Sequence, residues 1–452
     1  MPREPWLLAA SLGVLLPPFF AFAVLGASAA LRGGWTERTV RRITAAAFVL
    51  SLGAALATDA LFLGLGRPWF EVRLGDWFEV PGYTFPLTLF LDRTSLVVST
   101  LTAGVCGAIG RFSSRYLHRE RGYLRFFLLL SLFAGGMELL VLGGSFDLLF
   151  AGWELVGVCS ALLIGFFHER EAPAQNALRA FVTYRFCDVG LLLGSILLHH
   201  HLGSAGLAAL RGTSAAHGGW TLTAVGLLFL LAAAGKSAQF PVGGWLPRAM
   251  EGPTPSSAIF YGALSVHAGA YLLLRAAPLL REAPLASAAV VALGALTALT
   301  ATLVGRTQSD VKSSLAHATM TQVGLIFVEI GLGFFDLALL HLTSHALLRA
   351  VQLLRAPSAL QDLGRIHAAV GRALPTGAHY ESLLPERLRA WLFGLALARF
   401  HLDELLELAL VRPVLSLAAL AARAERGWAR LLAGESEPVI VAAVESAQGG
   451  KK

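Results

Sequence analysis

The sequence predicts an all-α membrane protein, a polytopic bundle of about 12–13 helices with at least one broken transmembrane helix. Three observations carry that prediction. The 452 residues are 56% hydrophobic and 14% charged, with a mean hydropathy of +0.65. Apolar runs of about 20 residues, the length that crosses a bilayer, recur along the chain. One run (residues 221–239) ends at Pro241, and Pro247, Pro253 and Pro255 follow before apolar character returns near Ile259. Non-helical backbone at membrane depth is tolerated only where protein buries it or water reaches it.

In order, spans are expected near residues 6–31, 44–65, 87–110, 126–142, 146–167 and 180–198. Further spans follow near 221–239, 259–274, 285–304, 311–330, 337–354 and 388–410. Residues 414–432 are also apolar, but Arg423, Glu425, Arg426 and Arg430 suit a helix lying in the interface. The first run is long enough to stay as a span, so no cleavable signal peptide is expected. The chain divides into N-terminal helices (1–86), a core (87–360), and C-terminal helices with a polar tail (361–452).

The net charge of +7 and pI near 9.7 do not point to nucleic acid, because of where the charges lie. Arg32, Arg38, Arg41 and Arg42 fill the first connecting loop, and Arg111, Arg115, Arg119, Arg121 and Arg125 the third. The loop between them sets Arg67 and Arg73 against Glu71, Asp76 and Glu79. Basic residues accumulate on the cytoplasmic side, so these two loops are expected inside and the N-terminus outside. Cys106, Cys159 and Cys187 lie within spans at no metal-ligand spacing. With no iron–sulfur pattern and no dinucleotide fingerprint, no metal or cofactor is expected, and any redox chemistry belongs to another subunit.

Ionisable residues inside apolar helices are costly, and they mark function by default. Lys236 is the sharpest such signal. Snorkelling to an interface is the bland alternative, but Ser237, Gln239 and the proline-rich break set it among polar groups. A lysine held between burial and a nearby carboxylate can exchange a proton. Glu154 is the expected partner, against the alternative of a static ion pair. Asp188 lies three residues after Arg185 and shares its helix face; it is expected to modulate that pair unless it forms only a structural salt bridge. Lys312 and His317 open a later span, where Lys312 either joins the path or ends its helix at the surface. His341, His345 and Arg349 recur every four residues along one helical face. Because histidine titrates near neutrality, that row reads as a proton relay, with His267 and Tyr261 extending it. Glu138 sits mid-span among glycines without an assignable partner. His199, His200, His201 and His217 are expected in a solvated loop.

The segments GWELVGVCSALLIGFF (152–167), GKSAQFPVGGWLPRAMEGPTPSSA (235–258), DVKSSLAHATMTQVG (310–324) and HLTSHALLRA (341–350) resemble the antiporter-like membrane subunits of respiratory complex I. The resemblance is especially to the L subunit and extends to the Mrp antiporter relatives. The resemblance covers roughly residues 87–360, and RFHLDELLELALVRP (399–413) is similar to the L-subunit tail. It implies a proton-translocating core with inverted repeats of five helices. Glu154 and Lys236 would be its coupling pair, with Lys312, His341 and His345 along a hydrophilic axis.

Departures from the pattern narrow the resemblance. Tyr261 replaces the histidine after the GPTP turn, Arg349 replaces a lysine, and no second broken helix is evident. With FYGALSVHAGAYLLLR (260–275) and HALLRAVQLLRAPS (345–358), the chain looks most like the shorter DabB-type subunit. That implies a proton-conducting subunit of an energy-coupled inorganic carbon (bicarbonate/CO2) transporter in a bacterial inner membrane. Its partners would be membrane lipid and a large soluble, zinc-containing DabA-like subunit on the cytoplasmic side, in a hetero-oligomer. The alternative is a proton-pumping L-type subunit of an NADH-quinone oxidoreductase-like complex, or an Mrp-like cation/proton antiporter subunit. On either reading the chain is a transport subunit rather than an enzyme in its own right.

Overall fold

The computed structural model describes residues 4–31, 35–80, 83–211, 219–370, 385–406, 408 and 412–433. His217 lies outside them. Residues 1–397 and 398–452 form two compact units.

The first unit opens with α1 (Glu4–Ala30) and α2 (Glu37–Leu63), then a β-hairpin of β1 (Trp69–Val80) and β2 (Tyr83–Asp92). The strands pair antiparallel, Trp69 opposite Asp92 and Phe70 opposite Leu91. Sequence reading had begun the third span at Leu87. The strand instead runs to Asp92, whose side chain accepts from the Ser95 N–H while the Ser95 hydroxyl meets the Asp92 backbone. This capping box starts α3 (Arg93–Tyr116), so the cap sets the boundary rather than the apolar run. α4 (Tyr123–Leu142), α5 (Phe146–Ile164), α6 (Glu171–Leu202) and the short α7 (Leu207–Leu210) follow. His199, His200 and His201 occupy the last turn of α6, not the loop expected for them.

α8 (Gly219–Lys236) ends at the lysine. Ala238 takes a left-handed φ of 51°. The Gln239 N–H reaches back to the Ala234 carbonyl and the Ala238 N–H to the Gly235 carbonyl, a Schellman closure that stops the helix. Short turns follow: α9 (Trp245–Arg248), α10 (Thr254–Ser256), a π-helical turn Ser257–Ala263, a 3-10 turn Ser265–His267, then α11 (Ala268–Arg275) and α12 (Ala277–Glu282). The predicted broken helix is therefore present, and its segment Thr254–Arg275 is entirely buried within protein, as irregular backbone at membrane depth requires.

α13 (Pro284–Gly305) packs on α14 (Val311–Gly331) where backbones touch; a Cβ on Gly294 would lie 2.5 Å from the Gly324 carbonyl oxygen. α15 (Phe335–Val370) is 36 residues long and runs past the end of the span expected at 337–354. α16 (Glu386–Leu397) completes the unit and contacts α13. In the second unit, Arg399, Phe400 and His401 all take left-handed φ near 50–60°. L-residues there cannot continue a right-handed helix, so the single span expected at 388–410 does not form. α17 (Leu402–Leu406) and α18 (Arg412–Ala433) follow.

Ten helices among the described residues are long and apolar enough to cross a membrane. α14, expected as a span, falls outside that set because its polar residues lower its hydropathy. The protein is a multi-pass, all-α membrane bundle carrying one small hairpin.

Candidate functional site

Lys236, the last residue of α8, is fully buried. Its Nζ donates to the Trp153 carbonyl at 3.1 Å and stands 4.8 Å over the Trp153 ring and 4.7 Å over the Tyr184 ring. Two aromatic faces therefore supply much of the attraction that acceptors would give an ammonium in water. Gly157, on the next turn of α5, makes the room: a Cβ there would sit 2.8 Å from Nζ.

Glu154 does not pair with Lys236 directly. The Arg185 guanidinium forks between the two carboxylates, with Nη1 on Glu154 and Nη2 on Asp188 at 2.8 Å. Asp188 also accepts from Trp153 Nε1 at 2.5 Å. Trp153 thus touches Asp188 with its indole N–H and Lys236 with its ring and carbonyl. The acid-to-lysine connection runs Glu154, Arg185, Asp188, Trp153, Lys236. Arg185 had been seen only as a local partner for Asp188; that its fork also reaches Glu154 is a tertiary fact. Tyr261 lies beside this cluster, sharing the Ser160 hydroxyl with Tyr184 (3.3 and 3.2 Å).

The second cluster forms around α15. His345 Nδ1 meets His267 Nε2 at 2.9 Å, and Arg349 Nε meets His345 Nε2 at 3.4 Å. His341 faces Glu329 at 2.8 Å and Gln322 at 3.0 Å, both on α14. The predicted row is present, and His267 joins it from the broken helix. Glu329 and Gln322 went unassigned in the sequence, although the rule that singled out Glu154, a carboxylate in an apolar helix, also finds Glu329. Ser237 links the two clusters, its hydroxyl bonded to the Val266 carbonyl next to His267. Lys312 stands apart in the first turn of α14, with Asp310 and Glu251 as its opposite charges. Among the described residues it makes no hydrogen bond or ion pair with either cluster.

A third set of charges braces the hairpin. Asp92 accepts from Arg275 Nη1 at 2.8 and 2.9 Å and from Arg211 at 2.9 Å. Burial pushes the Asp92 carboxyl up, but Arg275, the Ser95 N–H and Arg211 outweigh it and hold the group below the usual carboxylate range.

Comparison with known proteins gives the family. The family described as "NADH:quinone oxidoreductase/Mrp antiporter, TM" matches residues 144–368, which hold both clusters. The family of the complex I chain 5 N-terminus matches residues 77–127. NADH-quinone oxidoreductase subunit L of Escherichia coli (strain K12) is 35% identical over 353 residues, covering 76% of this chain and 56% of the relative. This chain thus spans little more than half the length of that relative. The structure of the Mrp complex from Dietzia sp. DQ12-45-1b contains a chain 28% identical, with a TM-score of 0.66 over 75% of this chain and 37% of that one. An archaeal membrane-bound sulfane sulfur reductase contains a chain of the same fold, with a TM-score of 0.68 at 17% identity, covering 86% of this chain and 77% of that one. With its matching segments, its broken helix and its buried lysine, the chain belongs to the antiporter-like membrane-subunit superfamily shared by NADH-quinone oxidoreductases and Mrp antiporters.

Proposed function

We propose that this chain conducts protons as a membrane subunit of a multi-subunit, redox-coupled complex of the quinone-oxidoreductase type. The observation that carries the reading is the pair of polar clusters at membrane depth, one joining Glu154, Arg185 and Asp188 to the buried Lys236 through Trp153, the other joining His267 to His345, with the Ser237–Val266 hydrogen bond tying the backbone of one to that of the other. Lys236 takes and releases the proton, Glu154 and Asp188 set its charge environment through Arg185 and Trp153, and His267, His345 and His341 pass the proton along α15. Tyr261 flanks the route through Ser160, while Lys312 stands apart from it. The arginine at 349 anchors the row without releasing a proton of its own.

The likeness to L subunits supports this reading over inorganic-carbon transport, the first expectation from the sequence, which rests on Tyr261, Arg349 and two helix segments. The two assign different partners. A quinone-oxidoreductase-type subunit purifies with redox subunits, whereas a DabB-type subunit purifies with a large zinc-containing soluble protein bound on the cytoplasmic face. Affinity purification from the native membrane followed by subunit identification and a quinone-reduction assay decides between them. A zinc-bearing soluble partner without redox activity would overturn the reading proposed here. In a bacterial inner membrane the basic first and third loops support an N-terminus on the outside, which labelling of a single cysteine introduced near Glu4 tests from either side.

A further inference from the structure

The route above leaves Glu138 unused. It lies on α4, is 1% exposed, and takes the Ser99 hydroxyl on Oε2 at 2.7 Å, while Oε1 is buried without a hydrogen-bond partner. Thr100, the next residue along α3, donates to Asp59 of α2 at 2.7 Å, and the other oxygen of Asp59 is likewise buried without a partner. Neither carboxyl has an ion pair among the described residues. The titratable groups facing Glu138 are Asp59 from α2, Cys106 from α3 and Tyr271 from α11, all acids. A buried carboxyl with no cation beside it is tolerated as the neutral acid, because the isolated anion costs many kcal/mol in such surroundings.

Asp59 and Thr100 also line a groove of about 760 Å³ between α2, α3 and α15. Its far wall includes Thr343 and Leu347, which flank His345 on α15. Arg93, at one end, is tied to Asp336 of α15 at 3.1 Å. The groove therefore touches the helix that carries the histidine row, on residues other than the histidines themselves.

We propose that Glu138 and Asp59 are a second proton-holding pair, distinct from the Lys236 cluster, Glu138 held on the Ser99 hydroxyl and Asp59 on the Thr100 hydroxyl, with Asp59 exchanging its proton at the α2–α3–α15 groove that it lines. Asp59 gives its proton to a water molecule entering the groove and takes one back from it, so no bond to carbon changes and no electrons move. The site rests on the reading of the chain as a proton conductor, but its occupancy is measurable without transport.

The test is infrared difference spectroscopy of the full chain in lipid, in H2O and D2O, which resolves the carbonyl stretch of a protonated carboxyl. A deuterium-sensitive band should be present in the wild type, lost in Glu138→Gln, retained at a shifted position in Glu138→Asp, and shifted in Asp59→Asn. Thr100→Val should slow its deuteration. The band should survive Lys236→Ala, which separates this site from the main route. A band indifferent to both Glu138→Gln and Asp59→Asn would overturn the proposal. Loss of the band on adding sodium chloride at constant pH would also overturn it, by making this a metal-cation site.

Discussion

The Ser237 hydroxyl donates to the Val266 carbonyl at 2.7 Å, tying the residue after the buried lysine to the residue before the buried histidine. One hydrogen bond thus holds two helix ends, the stop of α8 and the turn that leads into α11. Ser237→Ala should leave the Val266 carbonyl buried and unpaired, costing about 1–3 kcal/mol. Proton uptake by reconstituted vesicles should fall while Lys236 stays in place. Thermal unfolding and a pH-sensitive dye inside the vesicles read the two effects separately; unchanged uptake would show that the clusters do not communicate here.

Lys236→Ala should lower proton transport by at least about 100-fold, the usual worth of a positioned proton-transfer group, with the helical content retained. Lys236→Arg should fail similarly, since a guanidinium keeps its proton. Wild-type uptake in either variant would remove Lys236 from the route.

Gly157→Ala places a methyl 2.8 Å from the Lys236 Nζ. The flexible end of the lysine must then leave the Trp153 and Tyr184 rings. The expected outcome is a protein of near-normal thermal stability with impaired transport, and Gly157→Ser should behave alike. A stable, fully active Gly157→Ala would mean the ring contacts are incidental.

His345→Ala should interrupt the row between His267 and Arg349 and stop transport, whereas changes at His199 or His200, in the last turn of α6, should do little. Glu329→Gln should give an intermediate loss by freeing His341. Measured uptake rates across these four variants rank the residues directly, and the opposite ranking would move the route elsewhere.

Asp92 gives a pH test outside the spans. Its folded-state carboxyl lies below the ordinary range, so its contribution to stability is complete above the unfolded-state value, about 3.9. That contribution is lost as the pH falls through the lower folded-state value. Asp92→Asn leaves the buried Arg275 without its counter-charge and should cost about 3–5 kcal/mol at neutral pH. The gap between wild type and variant in thermal midpoint should narrow only in strong acid. A gap that closes already at pH near 6 would point to another group.

Much of this was legible in the sequence because lipid constrains helices so strongly. Lys236 announced itself as a charge beside a proline-rich break, and His341, His345 and Arg349 announced their shared face by spacing alone. What stayed hidden was pairing. Glu154 and Lys236 have opposite signs and invite a direct bond, but only the packing of α5 against α6 shows Arg185 reaching Glu154 first. The hairpin was obscured for a different reason: residues 87–91 are apolar enough to read as the start of a span, and the decisive signal was the small Asp92–Ser95 cap. His199–His201 looked like a polar tract, although a helix end tolerates histidines well beside its free carbonyls.

The length of α15 has a mechanical consequence. At 1.5 Å per residue its 36 residues extend about 54 Å, against a hydrocarbon slab about 30 Å thick. Even steeply tilted, the helix outruns the membrane. His345 therefore rides on a helix longer than the hydrocarbon slab is thick. A displacement anywhere along it reaches the histidine row through one helix.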